Sequence, residues 1–467
     1  MQRSKLVGSH GIADYEPAVI NGQELSPADL PVDGSMWEAI AGRIHNADGE
    51  FGLHQVCGGK LSAAVQRRSR TPNWRTRFVT ESRNVILFST ADWDAPYWTN
   101  KQHTARHLAA LGFQVLYIES PGLRAPTLNR KDFRRILRRI NRSIRAPQMV
   151  EAGLWTLSTV TIPFKHHWKS IRMINQGCIR RLLRRFVKQH GFCRPIIWTY
   201  HPFVFESLAG LDYSKLIYHS VDDLSAIPGI DRDGFLTEEQ RLVSHADVVF
   251  TTSETLRRKY LPLNSNTFYM PNVVDLKHFG RARKTGVLPK DLAAVPEPRI
   301  GFMGVLSDFK VDFALVLDVV RRRPDWQWVF IGEEREGQMN PLKKELTYQA
   351  NTHFLGYKPY PELPEYLRGI SVGTLPLRIN DYTRSMFPMK YYEYLASGIP
   401  VVSTPLEFTR YHGDGLEVAG DAEAYVHAIA RQLLRGRLSD EEVIKVVGNS
   451  TWNSRIASML ECIGIRS

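Results

Sequence analysis

The chain has 467 residues, 43% hydrophobic and 23% charged, a globular balance that excludes a largely disordered or collagenous protein. Lys and Arg number 61 against 48 Asp and Glu, and this +13 favours anionic partners such as phosphorylated substrates, acidic lipid or nucleic acid. Four scattered cysteines exclude a disulfide framework or a cysteine zinc site, and no run reaches the roughly 18 apolar residues that cross a bilayer. The first residues lack the apolar core of a secretory signal, so the expectation is a cytoplasmic, non-spanning protein.

Residues 1–82 read as an appendage in which Gly, Asp, Ser and Pro interrupt every apolar run, with one short amphipathic helix expected at 36–44. Order begins with the strand RNVILFST (83–90), a helix closed by Gly112, and the strand FQVLYIES (113–120). This is a βαβ opening. Strands follow at 154–159, 195–200, 215–220 and 247–253, alternating with helical patterns. Apolar strands separated by amphipathic helices predict a parallel sheet covered on both faces, here as a first domain over 83–275. A Lys-, Pro- and Gly-rich linker is expected at 276–297. The pattern then restarts over 298–440 with strands at 298–304, 326–333, 351–357, 371–377 and 400–404, and a helical tail closes the chain at 441–467. Two doubly wound α/β domains in series place a cleft where their strand C-termini face each other.

The most informative segment is SMFPMKYYEYLASGIPVVST (385–404). Pro388 suits the first turn of a helix, and Gly398 followed by Pro400 stops it. The helix start opens at the end of a strand, where free N–H groups and the helix dipole favour a diphosphate. Lys390 and Glu393 share one face. A lysine near phosphates, with a carboxylate one turn deeper for ribose hydroxyls, makes a workable nucleotide site. The plain alternative is a solvated Lys–Glu pair.

This segment resembles the donor-site helix of glycosyltransferases of the two-Rossmann B fold, of the retaining group 1 type. More narrowly it resembles the teichuronic-acid-type branch, with its P-x-K-x-x-E-Y-L-A-x-G-x-P-V-V pattern met by Pro388, Lys390, Glu393, Tyr394, Leu395, Ala396, Gly398, Pro400, Val401 and Val402. PNVVD (271–275), HFLGYKPYPELPEYL (353–367), HADVVFTTS (245–253) and YHSVDDLSAIPG (218–229) resemble further family segments in the same order, the second being the loop over the base. The resemblance implies a nucleotide-diphosphate sugar as substrate, no cofactor, no metal, and a donor site made of Gly304, Lys310, Arg384, Ser385, Pro388, Lys390 and Glu393. Three positions depart from the family: Val273 stands where it has Gly, Val305 where it has Arg, and Ser385 where it has Glu. Ser385 and Arg384 are the candidates to compensate.

On the acceptor side, Asp92 and Trp93 follow the first strand. His201, Asp222 and Asp223 end later strands, where such residues can steer an acceptor hydroxyl or sugar ring. His201, Asp222, Lys310 and Lys390 are thus the catalytic candidates. The stretch 129–145 sets seven arginines around an apolar stripe, which suits an anionic membrane surface or a lipid-linked acceptor. Residues 178–192 carry a similar pattern, read as a sheet-covering helix with a wet basic face. No GxGxxG follows either first strand and no P-loop occurs, which disfavours dinucleotide and P-loop enzymes. Nucleic acid is disfavoured too, because aromatic residues are not interleaved with the basic runs. The expected function is sugar transfer to a glycan or lipid-linked acceptor at the inner face of the cell membrane. A degenerate member that binds nucleotide or glycan without turnover is the second reading.

Overall fold

A computed structural model describes residues 19–20, 23–24, 83–120, 146–159, 169–334 and 340–465. The helices expected at 36–44 and 129–145 lie outside them. The chain divides into two compact units, Met1–Arg77 and Phe78–Ser467. In the first, β1 (Val19–Ile20) pairs antiparallel with β2 (Gln23–Glu24).

The second unit holds two lobes, each built on its own sheet. The first lobe contains β3 (Asn84–Phe88), β4 (Gln114–Ile118), β5 (Gln148–Glu151), β6 (Leu154–Leu157), β7 (Ile196–Thr199), β8 (Lys215–Ser220), β9 (Val248–Thr251) and β10 (Thr267–Tyr269). Their order across the sheet is β10-β9-β8-β7-β3-β4-β6-β5. The second lobe contains β11 (Arg299–Met303), β12 (Gln327–Ile331), β13 (Thr352–Gly356), β14 (Val372–Leu375), β15 (Val401–Ser403) and β16 (Leu416–Val418), in the order β13-β12-β11-β14-β15-β16. Both are doubly wound. Their order reverses between β3 and β7 in the first sheet and between β11 and β14 in the second. Such switch points open a crevice at the strand C-termini.

The expected strands form because their apolar runs are buried on both faces: β4, β7, β9 and β14 have nearly every residue inside. Three strands lack that signature. β10 and β16 are three residues each and lie at sheet edges, and β5 is mostly exposed. β5 also breaks the all-parallel expectation, because it pairs antiparallel with β6 through a hairpin that turns at Gly153, φ 73°. The expected helix at 178–192 is the C-terminal part of a longer one, Lys169–His190, which covers the first sheet with Ile179, Leu183 and Phe186.

The stretch 276–297 is not a free linker. Phe279, Ala282, Leu292 and Val295 are buried in the core of the second lobe. The C-terminal tail is shared between lobes. Helix Asp440–Val447 packs Val443 and Val447 into the second core, whereas helix Trp452–Cys462 lays Ile456, Met459 and Leu460 on the first sheet. The chain therefore crosses between the lobes twice, and the crossings are tied together: Val274 N–H donates to the Ser450 carbonyl at 3.0 Å. Arg455 anchors the return helix. It is buried, and it donates to the Asn100 side chain at 2.5 Å, His219 Nε2 at 3.0 Å and the Met270 carbonyl at 2.9 Å. Burial lowers its pKa to about 10, so it stays charged at neutral pH.

Candidate active site

At the switch point of the second sheet, the loop after β11 and the helix Met389–Ala396 stand side by side. The loop is held by backbone bonds: Gly304 N–H reaches the Ile331 carbonyl at 2.9 Å, and Leu306 N–H reaches the Glu333 carbonyl at 3.1 Å. This close approach needs Gly332, whose φ is 144° and where an added Cβ would stand 1.9 Å from the Gly304 oxygen. The helix is fixed from below. The Tyr394 hydroxyl accepts from Met303 N–H at 2.7 Å, and its ring lies over Gly373, where a Cβ would meet it at 2.6 Å. Pro388 caps this helix with an extended backbone, one place before the first turn where the sequence suggested it. Gly398, φ 75°, ends it as expected.

Lys390 and Glu393 do face the same way, and they pair: Nζ to Oε2 is 2.7 Å. The pair is not a solvated one, because the Glu393 side chain is only 3% exposed and lies beneath a quarter-exposed lysine. Ser385 is buried, with its hydroxyl donating to the Tyr382 carbonyl at 2.9 Å, so in this state it offers no free donor to a phosphate. Arg384 is exposed and faces Asp381 at 3.5 Å, a weak surface pairing.

A second cluster joins the lobes. Asp222, just beyond β8, accepts a hydrogen bond from Tyr382 of the second lobe. Lys310 stands over the ring of the same tyrosine, Nζ 4.9 Å from its centroid. Lys101, in the first turn of helix Asn100–Ala110, is 7% exposed, with its ammonium 5.6 Å from the Tyr200 ring centroid. Burial raises the Asp222 carboxyl above its ordinary value, with Lys101 and Lys310 opposing the rise. Burial lowers Lys101, with Asp222 opposing that and Lys310 adding to it. Lys101 and Lys310 thus both act on one carboxylate, Asp222.

Lys101 and Tyr382 were not singled out from the sequence. Lys101 had a legible signal: the first turn of its helix holds no acidic residue, and a lysine there opposes the helix dipole. Asp223 is engaged locally instead. Its carboxylate accepts from Ser225 N–H at 3.2 Å and Ser225 Oγ at 2.6 Å, capping a short turn, and lies 3.4 Å from Lys259. His201 follows β7 at the first switch point but is buried, its carbonyl accepting from Thr199 Oγ1 at 2.7 Å. Trp93 packs its ring against Trp98 and Tyr117, each 5.2 Å away, and its backbone N–H donates to the Glu119 carboxylate at 2.9 Å. The Asp92 carbonyl accepts from Gln102 at 3.1 Å.

An aromatic seam closes the crevice beside Glu393. From the first lobe come Tyr97, Trp98 and His103, and from the second Tyr357 and Tyr360. The Tyr357 hydroxyl donates to the Pro96 carbonyl at 3.0 Å, and Glu333 N–H donates to the Tyr97 hydroxyl at 3.3 Å. His103 stacks on Trp452 at 4.6 Å; burial holds its pKa down to about 3, so it packs as a neutral ring.

Among the described residues, no three His, Cys, Asp or Glu gather to hold a metal ion, and no helix is long and apolar enough to cross a membrane. Residues 297–435 match the family described as Glycosyl transferases group 1. A Bacillus subtilis (strain 168) protein, TuaH, whose name places it in teichuronic acid biosynthesis as a glycosyltransferase, is 26% identical over 230 residues. That match covers 46% of this chain and 57% of the relative's length, so the chain spans little more than half of that relative. Sucrose-phosphate synthase from Thermosynechococcus elongatus superposes with a TM-score of 0.60 at 16% identity, covering 82% of this chain and 98% of that one. Anabaena Alr3699/HepE, solved with UDP and glucose, gives 0.52 at 14% identity, covering 81% and 99%. These likenesses show the glycosyltransferase B fold.

Proposed function

We propose, from the match of residues 297–435 to the family described as Glycosyl transferases group 1, that the chain is a glycosyltransferase moving a sugar from a nucleotide-diphosphate sugar to an acceptor hydroxyl. One observation carries the reading. At the switch point of the second sheet, helix Met389–Ala396 starts beside the loop after β11 and carries Lys390 paired with the buried Glu393, and Lys310 lies further along that loop. The lysines and the helix dipole supply positive charge to a departing diphosphate, an electrostatic role that is largest where charge develops. Glu393 supplies a carboxylate that ribose hydroxyls can bond once Lys390 turns to phosphate. A solved protein of the same fold holds UDP and glucose, which supports this class of donor. Retention of anomeric configuration and independence from metal follow from the family resemblance. The name of the Bacillus relative supports an acceptor in surface polysaccharide or glycolipid synthesis.

Binding of UDP-, GDP- and dTDP-sugars, followed by calorimetry and thermal shift, tests the reading alongside a transfer assay. Glu393→Ala is expected to weaken nucleoside diphosphate by about 1.5–3 kcal/mol, the worth of a hydrogen bond to a charged group. Affinity equal to that of the wild type would remove Glu393 from the site. The second reading, a nucleotide or glycan binder without turnover, is favoured by Val305 and by the engaged hydroxyl of Ser385. Tight nucleotide binding with neither transfer nor hydrolysis across these donors would establish it.

The Arg-rich stretch 129–145 carries a proposal of reversible contact with anionic lipid, each basic residue near the surface contributing on the order of 1 kcal/mol. Co-sedimentation with anionic but not neutral vesicles, weakening with salt, is expected. Unchanged binding after charge reversal at Arg134, Arg135, Arg138 and Arg139 would exclude this stretch as the contact.

A further inference from the structure

A line of buried polar groups runs from the C-terminal helix to the start of helix Met389–Ala396. Arg455 donates to Asn100 Oδ1 at 2.5 Å, Asn100 Nδ2 donates to Asn272 Oδ1 at 3.0 Å, and Asn272 Nδ2 donates to the Phe387 carbonyl at 2.5 Å. All four residues are buried. The chemistry of the two ends fixes the direction of the line. A guanidinium only donates and a backbone carbonyl only accepts, so each amide between them must take a bond on its oxygen and give one from its nitrogen. Flipping either amide would set like against like. The charged donor at the head polarises the bonds behind it in one sense, which strengthens them.

The line touches both helices that carry site residues. Asn100 opens helix Asn100–Ala110, one place before Lys101. Phe387 precedes Pro388, the cap of the helix that bears Lys390 and Glu393. The first turn of that helix bonds back to Pro388, whose carbonyl accepts from Tyr391 N–H at 3.2 Å. The Phe387 carbonyl thus stands outside the helix ladder and is held by Asn272 instead. This last bond is also the step between lobes, beside the strap at Val274. We propose that Arg455 is a positioning residue for the donor site: acting through Asn100 and Asn272, it sets where helix Met389–Ala396 starts, and with it Lys390 and Glu393. The proposal rests on that helix as the donor site and adds a residue from the far end of the chain to its control. Through helix Trp452–Cys462, Arg455 belongs to the first lobe, so one lobe adjusts the nucleotide affinity of the other.

The test is a double-mutant cycle read in nucleotide affinity rather than in stability. The full chain, Arg455→Lys, Asn272→Ala and the double variant are titrated with UDP, ADP and GDP by calorimetry, with urea midpoints taken alongside. A lysine keeps the charge but lacks the planar fork that serves Asn100, His219 and Met270 together. Each single variant is expected to weaken the tightest-bound of these nucleotides by about tenfold. The double variant is expected to lose about tenfold as well, because without Asn272 the guanidinium has no route to the helix. If the alanine variant folds poorly, Asn272→Ser, whose hydroxyl is too short to reach both partners, takes its place in the cycle. Losses that multiply to about a hundredfold would show two independent structural effects and overturn the relay. Wild-type affinity in either single variant, with only the urea midpoint lowered, would overturn it too, and in both cases the donor site stands. A wild type that binds none of the three nucleotides would instead overturn the donor site and the relay together.

Discussion

Asp222→Asn is expected to lower turnover by about 10²–10⁴-fold, the range for a positioned acid–base group, without weakening nucleoside diphosphate. Asn keeps the shape and can still accept from Tyr382, so the bond between lobes survives. What it loses is the carboxylate on which Lys101 and Lys310 both act. A carboxyl raised by burial is a better proton acceptor than an ordinary aspartate, which suits it to an acceptor hydroxyl. Its removal also leaves the cluster more positive, so a diphosphate should bind equally well or more tightly. Steady-state kinetics with a separate nucleotide titration reads both effects. A parallel loss of turnover and nucleotide affinity would show that Asp222 supports the donor and not the acceptor.

Gly332→Ala is expected to destabilise the second lobe by about 2–4 kcal/mol, in the class of substitutions that strain a special backbone position. The new methyl would stand 1.9 Å from the Gly304 carbonyl oxygen, a contact no rotamer relieves, because the opposing atom is backbone. β11 and β12 would have to part where they end, and the loop leading to Lys310 would move with them. Nucleotide affinity should fall with stability. Gly420→Ala is the control, since a Cβ there meets nothing within 4 Å; it should stay within about 0.5 kcal/mol. Equal urea midpoints for the two variants would refute the packing argument.

Much of this architecture was legible because its signals are local. Buried strands such as β4 and β9 carry continuous apolar runs, and helix Met389–Ala396 carries its stop in Gly398 and its face in Lys390 and Glu393. The edge strands β10 and β16 were not legible, since three residues have no period to read. Local engagement was not legible either: Asp223 sits at a strand end, and Ser225 two places on bonds to its carboxylate as a cap. Lys101, Tyr382 and Trp98 acquire their roles only when the lobes meet. The hydrogen bond of Tyr357 to the Pro96 carbonyl, 261 residues apart, shows the distance over which such contacts form.

The double crossing between the lobes limits how the molecule can open. One strap is a single point about which a lobe could swing or twist in any direction. Here the passes at Val274 and Thr451 lie against each other as a bridged pair, and Asn272 beside them donates to the Phe387 carbonyl at 2.5 Å, next to the start of helix Met389–Ala396. Two straps joined along their length behave as a door hung on two pins, for which rotation about the line of the pins is easy and twist is resisted. Asp222, Tyr382, Trp98 and Tyr360 would then separate and meet again along one path, in the same register at every cycle. The angle of that door becomes a single coordinate, and filling the crevice amounts to choosing a value for it.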